Sequence, residues 1–160
     1  MTTDDARDRL ALALDVDDLV AALRLARRMR PWFGIAKVGL ELFGAAGPDA
    51  VSSVLDEGYR VFLDLKLHDI PTTVARAARV IGVLGASFTT VHTQGGDAMM
   101  RAAVDGLAEG AAAAGTAAPC VLGVTVLTSD PDAAPEVLTA RAAAAAEAGC
   151  GGLVCAAADL

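Results

Sequence analysis

Of the 13 cationic residues in this 160-residue chain, 11 are arginine; the two lysines are Lys37 and Lys66. Arginine stays protonated in a protein, whereas lysine offers a compact charge and a removable proton. The arginines fall mainly in helical or loop stretches. Both lysines fall at or near the carboxyl ends of predicted strands, Asp15 ends the first strand, and Asp64 precedes Lys66 by two residues on the third. Residues i and i+2 of a strand face one side, about 6.6 Å apart. Asp64 and Lys66 are therefore expected to point at one site, with Val61, Leu63 and Leu65 packing on the other face. An amine beside an acid favours the charged form of both. A salt-bridge ladder would explain one such pair, but not Asp15, Lys37, Asp64 and Lys66 at three consecutive strand ends.

Other polar residues carry weaker signals. Asp69, in His68-Asp69-Ile70-Pro71, reads on its own as a helix N-cap ahead of a first-turn proline. His68 reads as a loop histidine. His92 closes the fourth strand, where a structural hydrogen bond under the site accounts for it as well as catalysis does. The stretch Val124 to Ser129 ends the fifth strand with hydroxyls able to bond a ligand. No glycine-rich dinucleotide fingerprint, P-loop or Gly-x-Ser-x-Gly elbow is present, and no His/Cys cluster suggests zinc. Chemistry carried by aspartate and lysine, without metal or cofactor, is the reading left.

The elements that must position these groups follow a repeated rhythm. Strands are expected at Leu10–Asp15, Ile35–Gly39, Val61–Lys66, Phe88–His92, Val121–Val126 and Leu153–Ala156. Amphipathic stretches lie between them at Asp18–Met29, Pro48–Glu57, Thr72–Leu84, Ala98–Ala114 and Ala134–Ala148. Asp17, Asp18 and Asp97 suit helix starts, and Gly58, Gly85, Gly115 and Gly149 suit helix ends. Strand–helix repeats imply a parallel sheet in one α/β domain. A doubly wound open sheet and part of an eight-stranded barrel both fit. Charged strand ends converge at the carboxyl face of a parallel barrel, so a TIM (β/α)8-type barrel is expected, here about six strands and five helices.

Composition narrows the partners. A net charge of −7 argues against nucleic acid or an anionic membrane surface. The chain is 54% hydrophobic but only 4% aromatic, so its core is built from small aliphatic groups. Cys120, Cys150 and Cys155 have no metal-ligand spacing and suit small buried residues in a reducing compartment. The acidic start is unlike a secretory leader, and no apolar run approaches the roughly 20 residues of a membrane helix. A soluble, cytoplasmic protein is expected.

Phe62-Leu63-Asp64-Leu65-Lys66-Leu67-His68-Asp69-Ile70-Pro71-Thr72-Thr73 resembles the D-x-K-x-x-D-I-P signature of the orotidine 5′-phosphate decarboxylases. Ala13-Leu14-Asp15, Lys37 to Phe43, Val91-His92 with Gly95-Gly96, and Val124 to Ser129 resemble that family in the same order. The resemblance implies a TIM barrel working as a homodimer. It implies decarboxylation of orotidine 5′-monophosphate to UMP in pyrimidine biosynthesis, without metal or organic cofactor. Lys66 would protonate C6 of the pyrimidine, Asp64 would lie beside the departing carboxylate, and Lys37 and Asp15 would contact the ribose hydroxyls. Asp69, Ile70 and Thr73 would enter the partner's site, and Thr128 would lie against the pyrimidine.

The same resemblance implies two further strands, with a phosphate-gripping loop and an arginine. Residues 1–160 are therefore expected to be a single incomplete barrel domain, truncated at its C-terminal side. Two alternatives remain at this point. One is a magnesium-dependent relative among the sugar-phosphate decarboxylases and hexulose-phosphate synthases, which share an Asp-x-Lys-x-x-Asp strand. The other is an inactive truncated barrel.

Overall fold

Alternating apolar runs and amphipathic stretches become alternating strands and helices in a computed structural model, which describes residues 6–127 and 134–156. The strands are β1 (Ala11–Ala13), β2 (Ile35–Gly39), β3 (Arg60–Leu67), β4 (Phe88–His92), β5 (Cys120–Val124) and β6 (Gly152–Val154). The helices are α1 (Leu19–Met29), α2 (Leu40–Ala46), α3 (Pro48–Asp56), α4 (Pro71–Gly82), α5 (Gly96–Ala114) and α6 (Pro135–Glu147). The sheet runs in chain order, β1-β2-β3-β4-β5-β6. A doubly wound sheet reverses its strand order at a switch point, and no reversal occurs here. The fold is α/β of the TIM-barrel type. One expectation is corrected: six helices are present among the described residues, not five. The extra one, α2, is a single seven-residue segment running straight on from β2, too short to show a helical period.

The chain divides into two compact units. The first comprises the chain up to Leu65 with Leu84–Phe88. Its strands pair in parallel, Ala13 opposite Lys37, and Lys37 opposite Phe62. Ala36, Val38, Val61 and Leu63 alternate along β2 and β3 and are fully buried, as are Ala22 and Ala26 of α1 and Val51 and Val54 of α3. Each such valine or leucine contributes about 1.5–3 kcal/mol. Asp18 caps α1, its Oδ1 accepting from the Ala21 N–H at 2.6 Å. The Tyr59 hydroxyl donates to the Ala26 carbonyl at 2.8 Å. Burial pushes that hydroxyl's pKa up from its ordinary value.

The second unit comprises Lys66–Val83 and the chain from Thr89 onward. There β5 and β6 pair in parallel, Leu122 opposite Gly152. Helices α4 and α5 meet along a glycine seam. A Cβ at Gly82 would collide with the Leu107 carbonyl, one at Gly106 with the Ala75 carbonyl, and one at Gly110 with the Arg79 carbonyl. Helix α5 ends in a left-handed C-cap at Gly115, φ 69°, the conformation glycine takes most easily. The three cysteines, expected to be buried, are half-buried, and burial pushes the Cys150 thiol up.

The Thr89 hydroxyl is among the buried polar groups left unserved. Thr89 is fully buried, and its hydroxyl has no hydrogen-bond partner among the described residues. Such a group bears its desolvation cost without return, and an apolar replacement of the same shape removes it. Thr89→Val is expected to stabilise the protein by about 1 kcal/mol, raising the Tm by about 2–4 °C. A lower melting temperature in the variant would contradict this.

Candidate functional site

In the first unit the register fixes which side chains share a face. Ala13, Lys37 and Phe62 are lateral neighbours, and so are Gly39 and Asp64. Strand periodicity therefore puts Lys37 and Asp64 on the face opposite Ala36, Val38, Val61 and Leu63. Lys37 is the third of five residues in β2, and Asp15 lies two residues past the end of β1. The Lys37 ammonium donates to Asp15 Oδ1 at 2.8 Å, with the side chains 24% and 60% exposed. A pair this open to solvent contributes about 0.2–1 kcal/mol. Asp64 is 8% exposed.

Gly39 lies beside this pair. A Cβ there would stand 3.4 Å from Lys37 Nζ and 3.6 Å from Asp15 Oδ1. Both are ordinary van der Waals separations, so a small side chain at this position would rest against the pair.

In the second unit Lys66 is half-buried and takes φ 51°, the one positive φ outside glycine among the described residues. Left-handed backbone costs an L-residue about 1–2 kcal/mol, and such outliers persist where surrounding structure holds them. The Lys66 N–H donates to Thr90 Oγ1 at 2.8 Å, and Thr90 is fully buried on β4. The expectation of a plain i, i+2 pleat is therefore modified, because the strand turns at Lys66 itself.

Asp69, Ile70 and Thr73 are all exposed, Ile70 by 66%. Asp69 does not cap α4: the N-cap is Ile70, and Asp69 Oδ1 accepts from the Ile70 N–H at 2.6 Å. The aspartate folds back on its own neighbour, leaving the proline to begin the helix. His68 and His92 bring their rings to 5.3 Å. Thr125, at the end of β5, is spoken for within the fold, its hydroxyl donating to the Val154 carbonyl at 3.2 Å. Arg141 donates to the Thr125 carbonyl at 2.6 Å. Thr128 and Ser129 lie outside the described residues. Among the described residues, no cluster of three or more His, Cys, Asp or Glu could hold a metal ion. No helix there is long and apolar enough to cross a membrane.

A chain-ordered parallel sheet, with Lys37 paired to Asp15 and Asp64 on the same face of the strands as Lys37, defines an α/β protein of the barrel class. The model of the orotidine 5′-phosphate decarboxylase / HUMPS family matches residues 8–160. The chain belongs to that family. It is 52% identical over 124 residues to the orotidine 5′-phosphate decarboxylase of Moorella thermoacetica, an alignment covering 78% of this chain and 49% of that one. The chain thus spans about half the length of this curated relative. The crystal structure of orotidine 5′-phosphate decarboxylase from Lactobacillus acidophilus superposes with a TM-score of 0.79 at 36% identity, covering 94% of this chain and 71% of that one. An uncharacterized conserved protein from Geobacillus kaustophilus gives a TM-score of 0.85 at 36% identity, covering 93% and 74%.

Proposed function

We propose that this chain carries the catalytic strands of an enzyme that decarboxylates orotidine 5′-monophosphate to UMP in pyrimidine biosynthesis. The observation that carries the reading is Asp64-Leu65-Lys66 on β3, followed by Asp69-Ile70-Pro71, in a chain of this family. In the proposed step the bond from C6 to the carboxylate breaks and CO2 leaves. Its electron pair stays on C6, and the Lys66 ammonium delivers the proton there. The pair on C6 has no obvious delocalisation, so the barrier must be lowered electrostatically.

A fixed ammonium favours charge concentrated on C6 over charge spread across a carboxylate. Asp64, nearly buried, acts in the same direction by disfavouring the substrate carboxylate. Two unit charges at 4 Å interact by about 4 kcal/mol at an effective dielectric of 20. Binding energy from remote parts of the substrate must offset that repulsion. Asp15 and Lys37 would hold the ribose hydroxyls, and Thr128 would lie against the pyrimidine. The exposure of Asp69, Ile70 and Thr73 supports a homodimer in which they reach the partner's site.

The full-length gene product tests this directly. Formation of UMP and CO2 from orotidine 5′-monophosphate is expected to persist undiminished in a chelator. Failure to form UMP would overturn the reading. Activity that depends on added magnesium, on a sugar phosphate in place of the nucleotide, would instead favour the HUMPS branch of the family.

A further inference from the structure

We propose that Thr90 is a positioning residue for Lys66, acting through its hydroxyl on the Lys66 backbone. The proposal rests on the decarboxylase reading above, in which Lys66 supplies the proton. Three observations converge. Lys66 takes φ 51° near the end of a strand, a conformation that lysine does not choose unaided. Its N–H donates to Thr90 Oγ1 at 2.8 Å, across 24 residues of sequence. Thr90 is fully buried, so water does not compete for that oxygen.

A side chain's direction is set by the φ and ψ of its own residue. At Lys66 a return to extended backbone would swing the Cα–Cβ vector and carry the ammonium away with it. The Thr90 hydroxyl accepts a hydrogen bond from this N–H in the turned conformation, and thereby favours that conformation. Thr90 touches no reacting atom in this scheme. Its effect is on where the Lys66 ammonium stands. A misplacement on the order of 1 Å costs about 100-fold in rate.

The test compares Thr90→Val, Thr90→Ser and Lys66→Ala in the full-length gene product. Thr90→Val keeps the shape and removes the acceptor. It is expected to lower kcat about 30- to 100-fold, with KM and UMP affinity within threefold of wild type. Thr90→Ser restores the acceptor and is expected to return kcat to within threefold. A structural role alone would not separate kcat from KM or be rescued by serine. Hydrogen exchange at the Lys66 amide, read without turnover, is expected to be at least tenfold faster in Thr90→Val than in wild type and Thr90→Ser.

Wild-type kcat in Thr90→Val, beside an inactive Lys66→Ala, would overturn the positioning role and leave the decarboxylase reading intact. Equal loss in the valine and serine variants would do the same, as would unchanged exchange at the Lys66 amide. An active Lys66→Ala would overturn both. Should Thr90→Val fail to fold, the serine variant decides: a 30-fold loss there refutes the role, and near-normal kcat with a protected Lys66 amide supports it.

Discussion

Lys66→Ala is expected to reduce decarboxylation of orotidine 5′-monophosphate by at least about 10³-fold, with the melting temperature changed by only a few degrees. Lys66 is half-buried at the end of β3, so removing its ammonium costs the fold little packing. In the proposed reaction the same ammonium is both the charge that favours the carbanion and the source of its proton. Arginine would keep the charge but could not give up the proton, so Lys66→Arg is expected to be nearly as poor as alanine. The backbone at φ 51° supplies an internal control. Glycine occupies that region freely and alanine does not. Lys66→Gly is therefore expected to melt at a higher temperature than Lys66→Ala while being equally inactive. Turnover near the wild-type level in Lys66→Ala would sink the functional assignment.

Gly110→Ala is expected to be the most damaging single methyl group that can be added to the second unit. The new Cβ would overlap the carbonyl of Arg79 on α4, so the two helices would have to move apart along their whole contact. Overpacking of this kind costs up to about 3 kcal/mol, which corresponds to a fall in Tm of about 6–12 °C for a domain of this size. Gly44 in α2 is the matched comparison. It also lies within a helix, but nothing stands within 4 Å of its added Cβ. There alanine is expected to stabilise by about 0.5–1 kcal/mol. Thermal unfolding of the two variants side by side separates helix propensity from close approach, and equal melting temperatures would refute the account of the seam.

Much of the architecture could be read from the sequence because strand and helix periods differ so clearly. Ile35–Gly39 and Phe88–His92 form strands with the expected bounds, and Pro48–Glu57 differs from α3 by one residue. Helix α2 was not legible: seven residues directly after a strand do not complete two turns. Asp15, Lys37, Asp64 and Lys66 could be picked out because their types clash with the apolar strands that carry them. The left-handed backbone at Lys66 could not, since lysine has no preference for it and the cause lies in a threonine far along the chain. Asp69 misled for the opposite reason. Its local pattern suits a helix cap, but the carboxylate is taken by the adjacent N–H instead. Gly106 and Gly110 show a four-residue spacing in the sequence, yet nothing there says that backbone would press against them.

The seam between α4 and α5 also bears on how this protein can change over time. Where side chain meets side chain, a gain in bulk on one helix can be matched by trimming its neighbour, so the two positions drift as a pair. At Gly82, Gly106 and Gly110 the opposing atom is a carbonyl oxygen, which no mutation can make smaller. A larger residue at any of these positions has no single compensating change within reach. The three glycines are thus an evolutionary dead end in a useful sense. They hold the helix that follows the Lys66 strand at a fixed separation from the helix that follows the Thr90 strand, while the surrounding surface is free to diverge.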